Sequence, residues 1–322
     1  MKNHSVEELR AGATQPLVSV GMPIRNGAKT LERAILSIVR QSYANLEIII
    51  SNNNSQDATD EICRRFAHQD QRIIYFQQPT PLTAIENFRF VFEKAQGKYF
   101  LWAAHDDLRD ENYIATLLKG FERFPDAAII ISDVVCFHDY NNLTQVRKLN
   151  YGYNTAEWSP IQKIRKSIAN GCHHLYGLIQ ARYLREYDWY DLALGPDRPL
   201  LLALLTRGDF AYIPGTTLYI WKPLAGKSDA QRAQDNSYSS LTSFPLLRLA
   251  WYSALAIKHA DARNAAPTIH LPMAVLFPLI FLFYALRKNT LKTYVFRMAP
   301  GFLRRGYLRW KHPYRITADL TR

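Results

Sequence analysis

The sequence predicts an α/β fold in which a mostly parallel sheet carries helices on both faces. Three apolar runs with the length of strands, residues 17–22, 46–50 and 73–76, are each followed by an amphipathic run with helical spacing. This alternation is typical of parallel sheets, because a parallel connection needs a long crossover that is usually helical. Polar turns follow the strands, so we expect them to collect along one edge of the sheet.

The three helical runs have recognisable limits. The first is expected at residues 30–41, and the second ends near Ala67. The third is expected at residues 83–95, with Gly97 as its predicted terminator, because glycine readily adopts the left-handed conformation that ends many helices. Three strand–helix units are therefore complete before the next strand begins.

A carboxylate pair follows the fourth predicted strand, residues 99–104. This strand leads directly into His105, Asp106 and Asp107, at the carboxyl end where open α/β sheets bind ligands. Two hard oxygen donors suit Mg²⁺ or Mn²⁺ carrying a diphosphate, since these ions prefer carboxylates together with substrate phosphate oxygens. The alternative interpretation is that acidic residues here only stabilise the N-terminus of the next helix, expected at residues 111–124.

A series of short motifs continues this pattern through the first half of the chain. They are Pro23 with Asn26, Ala34-Ile35 with Ser37, Gln41-Ser42, Glu47-Ile48-Ile49-Ile50, Ser55 with Asp57 and Thr59, Asn87, Gly97-Lys98-Tyr99 and Asp106-Asp107. In order and spacing the motifs resemble glycosyltransferase family 2, strongly over residues 17–138 and loosely over residues 139–228. The resemblance implies a GT-A fold and a transferase that inverts the anomeric carbon of its donor sugar.

The resemblance also implies a donor site, in which Asp107 is the metal ligand and Asp106 lies near the ribose. Asn52 stands where family members usually carry an aspartate that accepts a hydrogen bond from the nucleotide base, and an amide oxygen can still accept that bond. His105 also replaces an aspartate, and it is expected either to ligate the ion or to form a packed, hydrogen-bonded ring. The residues expected to bind the sugar nucleotide are Pro23, Ile24, Arg25, Asn26, Asn52, Asn54, Asn87 and Asp106.

The acceptor site is expected in the following segment. By resemblance, His173 and His174 lie where family members build part of the acceptor pocket, and in extended chain at most one of them would face it. Asp197 precedes an apolar run that resembles the family's Asp-led helix, whose carboxylate is the general base for the acceptor hydroxyl. An ordinary helix cap is the alternative role of Asp197. Asp188 and Asp191 are the other candidates for the base.

Composition bounds the domain organisation. The chain has 322 residues, 48% of them hydrophobic, so it can bury the core of one large domain or two small ones. We predict four parts: a polar leader (1–16), a sugar-nucleotide-binding half (17–138), an acceptor-binding half of the same GT-A domain (139–235) and a C-terminal helical region (236–322).

The cysteines indicate a reducing compartment. Cys63, Cys136 and Cys172 are widely spaced and odd in number. They fit neither a disulfide framework nor a Cys-x-x-Cys zinc site, so a cytosolic location is predicted. The first fifteen residues lack the apolar stretch of a signal peptide, which agrees with that prediction.

The formal charge of +12 is concentrated at the C-terminus. Residues 287–322 contain ten Lys and Arg against one acid, Asp319, so this tail carries +9. The tail also contains six aromatic residues and follows an apolar run at residues 271–286. Basic and aromatic residues beside an apolar helix are typical of segments that bind an anionic bilayer. Nucleic acid is the competing partner for such a tail, but the adjoining apolar run favours lipid.

The apolar run is short for a spanning helix. Its sixteen residues reach about 24 Å, short of the ~30 Å hydrocarbon core, and its two prolines weaken a helix further. We therefore expect a monotopic or re-entrant segment at the cytoplasmic face of the inner membrane. The alternative is a subunit contact within a homo-oligomer.

Two classes of function remain open. The first is a non-processive, bacterial-type glycosyltransferase of polysaccharide biosynthesis, which moves one sugar to a membrane-proximal or lipid-linked glycan. The second is a catalytically degenerate relative that binds nucleotide sugar or glycan, as Asn52 and His105 suggest. Asp107 and Asp197 favour the enzyme. The chain lacks the Gln-x-x-Arg-Trp signature of processive synthases, and its turn at residues 21–25 is not the glycine-rich loop of nucleotidyltransferases.

Overall fold

The computed structural model describes residues 15–143, 146–149, 152–159, 162, 172–187, 189 and 197–222. Most of the predicted leader, the C-terminal region with its apolar run, and the alternative bases Asp188 and Asp191 lie outside the described residues. What was predicted for those segments stays a prediction. Within the described ranges, no helix is long and apolar enough to cross a membrane.

The first half of the described chain alternates strands and helices as predicted. Its elements are β1 (Val18–Ile24), α1 (Leu31–Val39), β2 (Leu46–Asn52), α2 (Thr59–Gln69), β3 (Ile73–Gln77), α3 (Ala84–Glu93) and β4 (Tyr99–Trp102). The four strands pair in parallel in the order β3-β2-β1-β4, so their carboxyl ends lie at one edge. Each predicted strand and helix in this half is confirmed.

The second half completes a sheet of nine strands within the described residues. Its elements are β5 (Leu108–Arg109), α4 (Tyr113–Arg123), β6 (Ala127–Phe137), β7 (Arg147–Leu149), a 3₁₀ turn (Cys172–Tyr176), β8 (Leu178–Gln180), α5 (Ala181–Arg185), α6 (Asp197–Arg207) and β9 (Asp209–Trp221). The short β8 runs antiparallel to both β4 and β6, whereas β9 is parallel to β6 and antiparallel to β5. The sheet is therefore parallel over β1–β4 and mixed beyond them.

Each face of the sheet carries its own apolar core. On one face α1, α2 and α4 pack against the strands, and on the other α3, α5 and α6 do so. β4 shows the alternation expected of a buried strand, because Leu101 belongs to the first core and Phe100 and Trp102 belong to the second. The prediction of helices on both faces is confirmed.

Gly97 has a different role from the predicted one. Helix α3 ends at Glu93 with Lys94 as its C-cap, so Gly97 does not terminate it. Instead, the N–H of Gly97 donates to Ser19 Oγ at 2.8 Å and to Glu47 Oε1 at 3.1 Å. A Cβ at this position would lie 2.5 Å from Ser19 Oγ. Glycine is required here because the chain passes close to a buried polar cluster beneath β1.

Candidate active site

The carboxyl ends of β1, β2 and β4 meet at one edge of the sheet. β1 pairs in parallel with both neighbours, and Ile24 at its end lies opposite Asn52. The chain leaves the three strands at residues 25–28, 53–57 and 103–107. Three segments that carry predicted donor-site residues are thereby brought together at the edge where open α/β sheets bind ligands.

The loop between β1 and α1 is held by the loop that follows β2. Three successive N–H groups of the first loop donate to three side chains between Ser55 and Thr59, where the second loop leads into α2. These hydrogen bonds run from Asn26 to Ser55 Oγ (2.8 Å), from Gly27 to Thr59 Oγ1 (2.9 Å) and from Ala28 to Asp57 Oδ2 (3.0 Å). The Ser55, Asp57 and Thr59 motif therefore fixes the shape of the predicted nucleotide-binding loop.

Asn26 and Asn54 adopt left-handed backbone conformations at this edge. Their φ angles are 53° and 52°, values that asparagine tolerates better than most residues. Gln56 joins them, because its N–H donates to Asn26 Oδ1 at 2.9 Å and its side-chain amide donates to Asn54 Oδ1 at 2.8 Å. Backbone conformations of this kind concentrate at binding sites, which agrees with the role predicted for both residues.

Four of the eight predicted donor-site residues are buried inside the protein at this edge of the sheet. The amide of Asn52 donates to Gln77 Oε1 at 2.7 Å, and its Oδ1 accepts from the N–H of Ser55 at 3.1 Å. Asn87 Oδ1 accepts from the Ser51 hydroxyl at 2.6 Å. These bonds hold the side chains of Asn52 and Asn87 within the protein. A contact between Asn52 and the nucleotide base stays a prediction. Pro23, Ile24, Asn52 and Asn87 are buried, Arg25 and Asn26 are exposed, and Asn54 and Asp106 are partly buried.

Asp107 is a buried carboxylate at the end of β4. Only 4% of its surface is exposed, and its Oδ1 accepts from the N–H of Trp221 at 3.1 Å. Burial, followed by the negative charge of Asp106, raises the pKa of Asp107 to about 7. The positive charges of Arg109 and Lys222 act in the opposite direction. The surroundings of Asp107 thus disfavour its charged form, and a divalent cation bound beside it would favour that form.

His105 forms the hydrogen-bonded ring that was one of its two predicted states. Its Nδ1 lies 3.1 Å from Thr30 Oγ1. Among the described residues, no group of three or more His, Cys, Asp or Glu side chains could by itself hold a metal ion. A metal at Asp106 and Asp107 would therefore take its remaining ligands from substrate and water, as Mg²⁺ and Mn²⁺ sites that carry phosphates commonly do.

Tyr140 and Trp221 form an aromatic wall beside the carboxylate pair. The Tyr140 hydroxyl donates to the main-chain oxygen of Asp106 at 2.5 Å, and the two rings stack with centroids 5.8 Å apart. The Arg33 guanidinium lies 5.0 Å from the centre of the Tyr140 ring. Burial, and then the charges of Asp106 and Asp107, raise the pKa of Tyr140, so its hydroxyl remains a donor.

His173 and His174 lie in the 3₁₀ turn, so the sequence argument from extended chain was wrong for this segment. His174 is buried, and its ring stacks on Phe210 with centroids 5.8 Å apart. His173 is partly buried; burial, and then the charge of Lys222, lower its pKa to about 4.

Asp197 is the first residue of α6 and is exposed, as expected of a group that serves an incoming substrate. Tyr176 connects it to the carboxylate pair. Burial raises the pKa of Tyr176, and the negative charges of Asp107, Asp197 and Asp106 raise it further, in that order. All three carboxylates therefore act on the pKa of Tyr176, although 90 residues of sequence separate Asp107 from Asp197.

Four residues around the pair were missed in the sequence: Arg109, Tyr140, Trp221 and Lys222. Trp221 reaches Asp107 because β9 pairs with β6 and sets Trp221 opposite Phe137. No local pattern carries that information. The sequence could have predicted Arg109, because Asp107 was already a candidate and residues two apart in an extended chain lie on the same side.

The chain matches the family model described as Glycosyl transferase family 2 over residues 19–187, more than half of its length. It belongs to that family. Among curated relatives, the glycosyltransferase GlyA of Streptococcus pneumoniae serotype 4 is 29% identical over 137 residues, 42% of this chain and 19% of GlyA. GlyG of the same organism is 33% identical over 117 residues, 36% of this chain and 38% of GlyG. The chain thus spans less than two fifths of either relative.

Solved structures confirm the GT-A fold of this family 2 chain. Residues 1–349 of S. aureus TarS, in complex with UDP-GlcNAc, align with a TM-score of 0.62 at 14% identity, covering 81% of this chain and 71% of that TarS fragment. GalNAc-T7 with UDP, GalNAc and Mn²⁺ aligns with a TM-score of 0.52 at 14% identity, covering 80% of this chain and 54% of the other.

Proposed function

We propose that this family 2 chain is an inverting glycosyltransferase that moves one sugar from a nucleotide-sugar donor to a membrane-proximal or lipid-linked glycan. The observation that carries the proposal is the Asp106–Asp107 pair at the sheet edge, in which Asp107 is buried and Asp106 is partly buried, together with Asp197 at the start of α6. Direct displacement at an anomeric carbon needs a stabilised diphosphate leaving group and a base for the attacking hydroxyl. The TarS complex with UDP-GlcNAc supports a nucleotide-sugar donor.

On the donor side, Asp107 together with Asp106 would hold Mg²⁺ or Mn²⁺. When bound, such an ion neutralises the charge that develops on the departing diphosphate. The fit rests on the burial of Asp107 and on its repulsion by Asp106, which a dication would relieve. Lys222 is exposed beside this pair, and its ammonium can bind a diphosphate oxygen. Mn²⁺ in the GalNAc-T7 complex supports a divalent metal in such a site.

On the acceptor side, Asp197 accepts the proton of the attacking hydroxyl. Its place at the N-terminus of α6 suits a negatively charged side chain, because the helix dipole is positive at that end. The partly buried ring of Trp221 offers a flat apolar surface on which a sugar ring can pack, and Tyr140 supports it from behind. Attack from the Asp197 side, opposite the departing diphosphate, inverts the anomeric carbon.

The location of the acceptor is proposed from the C-terminal sequence. The apolar run at residues 271–286 and the +9 tail would bind anionic lipid at the cytoplasmic face of the inner membrane. Such docking would hold the enzyme near lipid-linked glycans. A subunit seam in a homo-oligomer is the competing role of this region, and nucleic acid is not an expected partner.

A donor screen tests the proposed function. The purified chain is incubated with Mn²⁺ and a panel of UDP-, GDP-, CDP- and dTDP-sugars, and both the melting temperature and the release of nucleoside diphosphate are measured. We expect one nucleotide class to raise the melting temperature by mass action and to be slowly hydrolysed. Stabilisation without hydrolysis or transfer would support the degenerate binding relative. No response to any sugar nucleotide would contradict both functions.

A further inference from the structure

The side-chain amides of Asn52 and Gln77 form a pair at the carboxyl ends of β2 and β3. The two residues are partners in the parallel register of these strands. Nδ2 of Asn52 donates to Gln77 Oε1 at 2.7 Å, and Oδ1 of Asn52 accepts from the main-chain N–H of Ser55 at 3.1 Å. Asn52 is 0% exposed, whereas Gln77 is exposed to solvent. A base that arrives at this edge therefore meets the amide of Gln77 before it can reach that of Asn52.

The orientation of both amides follows from one main-chain group. The N–H of Ser55 can only donate, so it requires the oxygen of the Asn52 amide on its side. The Asn52 nitrogen must then face β3, where it needs an acceptor, and Gln77 supplies Oε1. The Tyr75 hydroxyl, which can also donate, lies 2.6 Å from the same Oε1. The Gln77 amide therefore directs its Nε2, a donor, away from Asn52 and Tyr75, and this nitrogen makes no hydrogen bond with the described residues.

The amides that follow Asn52 are already engaged with main-chain groups. Oδ1 of Asn53 accepts from the N–H of Leu82 at 2.7 Å, and its Nδ2 donates to the oxygen of Leu82 at 2.9 Å. Nδ2 of Asn54 donates to the main-chain oxygen of Pro79 at 3.1 Å. Of these neighbouring amides, that of Gln77 keeps its donor for a ligand.

The strand order places Gln77 where the nucleoside of the proposed donor would lie. In the order β3-β2-β1-β4, the end of β3 is three strands from Asp107 at the end of β4, about 14 Å at the usual strand spacing. Doubly wound sheets bind nucleotides along this carboxyl edge. With the diphosphate at the carboxylate pair, the nucleoside extends along the edge towards β2 and β3.

We propose that Gln77 determines which base the donor site accepts, and that Asn52 sets the polarity of the Gln77 amide. The inference rests on the proposed function, because it assigns a residue to the nucleoside of the donor. Since Gln77 presents N–H groups, the site favours a base whose ring nitrogen accepts a hydrogen bond, as N3 of cytosine does. Uracil carries an N–H at that position, so two donors would face each other.

The same reasoning predicts two substitutions that invert the amide group offered to the base. In Asn52→Asp, a carboxylate oxygen would face β3 and accept from Nε2 of Gln77, which turns Oε1 of Gln77 outward. In Gln77→Glu, one carboxylate oxygen would still accept from Asn52, and the other would face the base. Each variant therefore presents an acceptor where the wild type presents a donor.

An unfolding cycle tests the amide pair without any nucleotide. Asn52→Asp and Gln77→Glu each keep one donor and one acceptor in the pair, but the double variant sets two carboxylates against each other. At pH 8 we expect the melting temperature of the double variant to fall by about 2–4 °C or more beyond the sum of the single changes. Gln71→Glu, at an exposed site before the other end of β3, replaces Gln77→Glu in a control cycle that should be additive. An additive loss in the cycle of Asn52 with Gln77 would overturn the proposal.

Base preference gives the second readout. Dissociation constants for CDP and UDP, which differ only at positions 3 and 4 of the base, are measured by calorimetry in Mn²⁺. We expect wild type and Gln71→Glu to bind CDP about tenfold more tightly than UDP. Asn52→Asp and Gln77→Glu should each shift this ratio about tenfold or more towards UDP. ADP and GDP form the corresponding purine pair, since N1 accepts in adenine and carries a hydrogen in guanine.

The outcomes separate this inference from the proposed function. A ratio that stays unchanged in both variants, or a wild type that prefers the base with the ring N–H, would overturn the role of Gln77 while leaving a nucleotide-binding site. Binding of no nucleoside diphosphate by any of the proteins would overturn the proposed donor site, and the role of Gln77 with it.

Discussion

The main-chain N–H of Trp221 donates to Oδ1 of Asp107 at 3.1 Å, across 114 residues of sequence. This bond joins the predicted metal ligand to β9, whose position is set by its pairing with β6. Replacing Asp107 with Ala would remove this acceptor and leave the N–H of Trp221 without its buried partner. The buried bond makes Asn the better substitution, since its amide oxygen can still accept from Trp221.

Asp107→Asn should abolish sugar transfer and the stabilisation of the protein by Mn²⁺ with the nucleotide that the donor screen identifies. The Asn side chain keeps its shape and the bond to Trp221 but loses the negative charge that a dication requires. Activity assays and melting curves with and without Mn²⁺ and that nucleotide measure both effects. Asp126→Asn, at an exposed site between α4 and β6, is the matched control. Undiminished turnover of Asp107→Asn in chelator would contradict metal assistance.

Asp197→Asn should lower the transfer rate by roughly 10²- to 10⁴-fold while donor binding stays nearly unchanged, because the amide cannot accept the acceptor's proton. Rates are compared at saturating donor, and donor binding is followed by thermal shift. Asp188→Asn and Asp191→Asn serve as comparators. A comparable loss in one of those variants, with Asp197→Asn active, would reassign the base.

His173 should make the protein less stable in mild acid. Its pKa is lowered from 6.5 to about 4 in the folded state, so the unfolded chain binds more protons between these values. The contribution of His173 is complete above about pH 6.5 and is lost as the pH falls towards about 4. Urea unfolding at pH 7.5 and at pH 5 gives the free energy of unfolding at each pH, and the difference between the two values measures this contribution. His173→Gln should lose less stability than wild type over this interval, and an identical loss would refute the assignment.

Truncation after Asp261 should release a protein that no longer binds anionic vesicles but still binds sugar nucleotide, because all predicted site residues lie upstream. The apolar run and the basic tail act together, and salt should weaken only the electrostatic share. Flotation with anionic and neutral liposomes measures the difference. Equal binding of the full-length and truncated proteins to anionic liposomes would refute membrane docking through the C-terminal region. If truncation instead abolished subunit assembly, the region would be a subunit contact within a homo-oligomer.

The sequence was most informative where structure depends on neighbouring residues. β1–β4 and α1–α3 follow from apolar spacing, and Asp107 was found because a carboxylate pair directly follows a strand. Trp221 and Tyr140 come together through the pairing of β6 with β9, which local spacing does not encode. The 3₁₀ turn that carries His173 was missed, because nothing in that segment excludes extended chain.

The three N–H groups after β1 are occupied by Ser55, Asp57 and Thr59. In folds with a glycine-rich phosphate loop, amides at the corresponding turn surround the anion instead. In this protein the N–H groups of that turn already donate hydrogen bonds to side chains. The neighbouring carboxylates of Asp106 and Asp107 would repel a diphosphate. Attraction for the donor must then come from cations, so donor and ion should enter as a thermodynamically linked pair, each raising the affinity for the other.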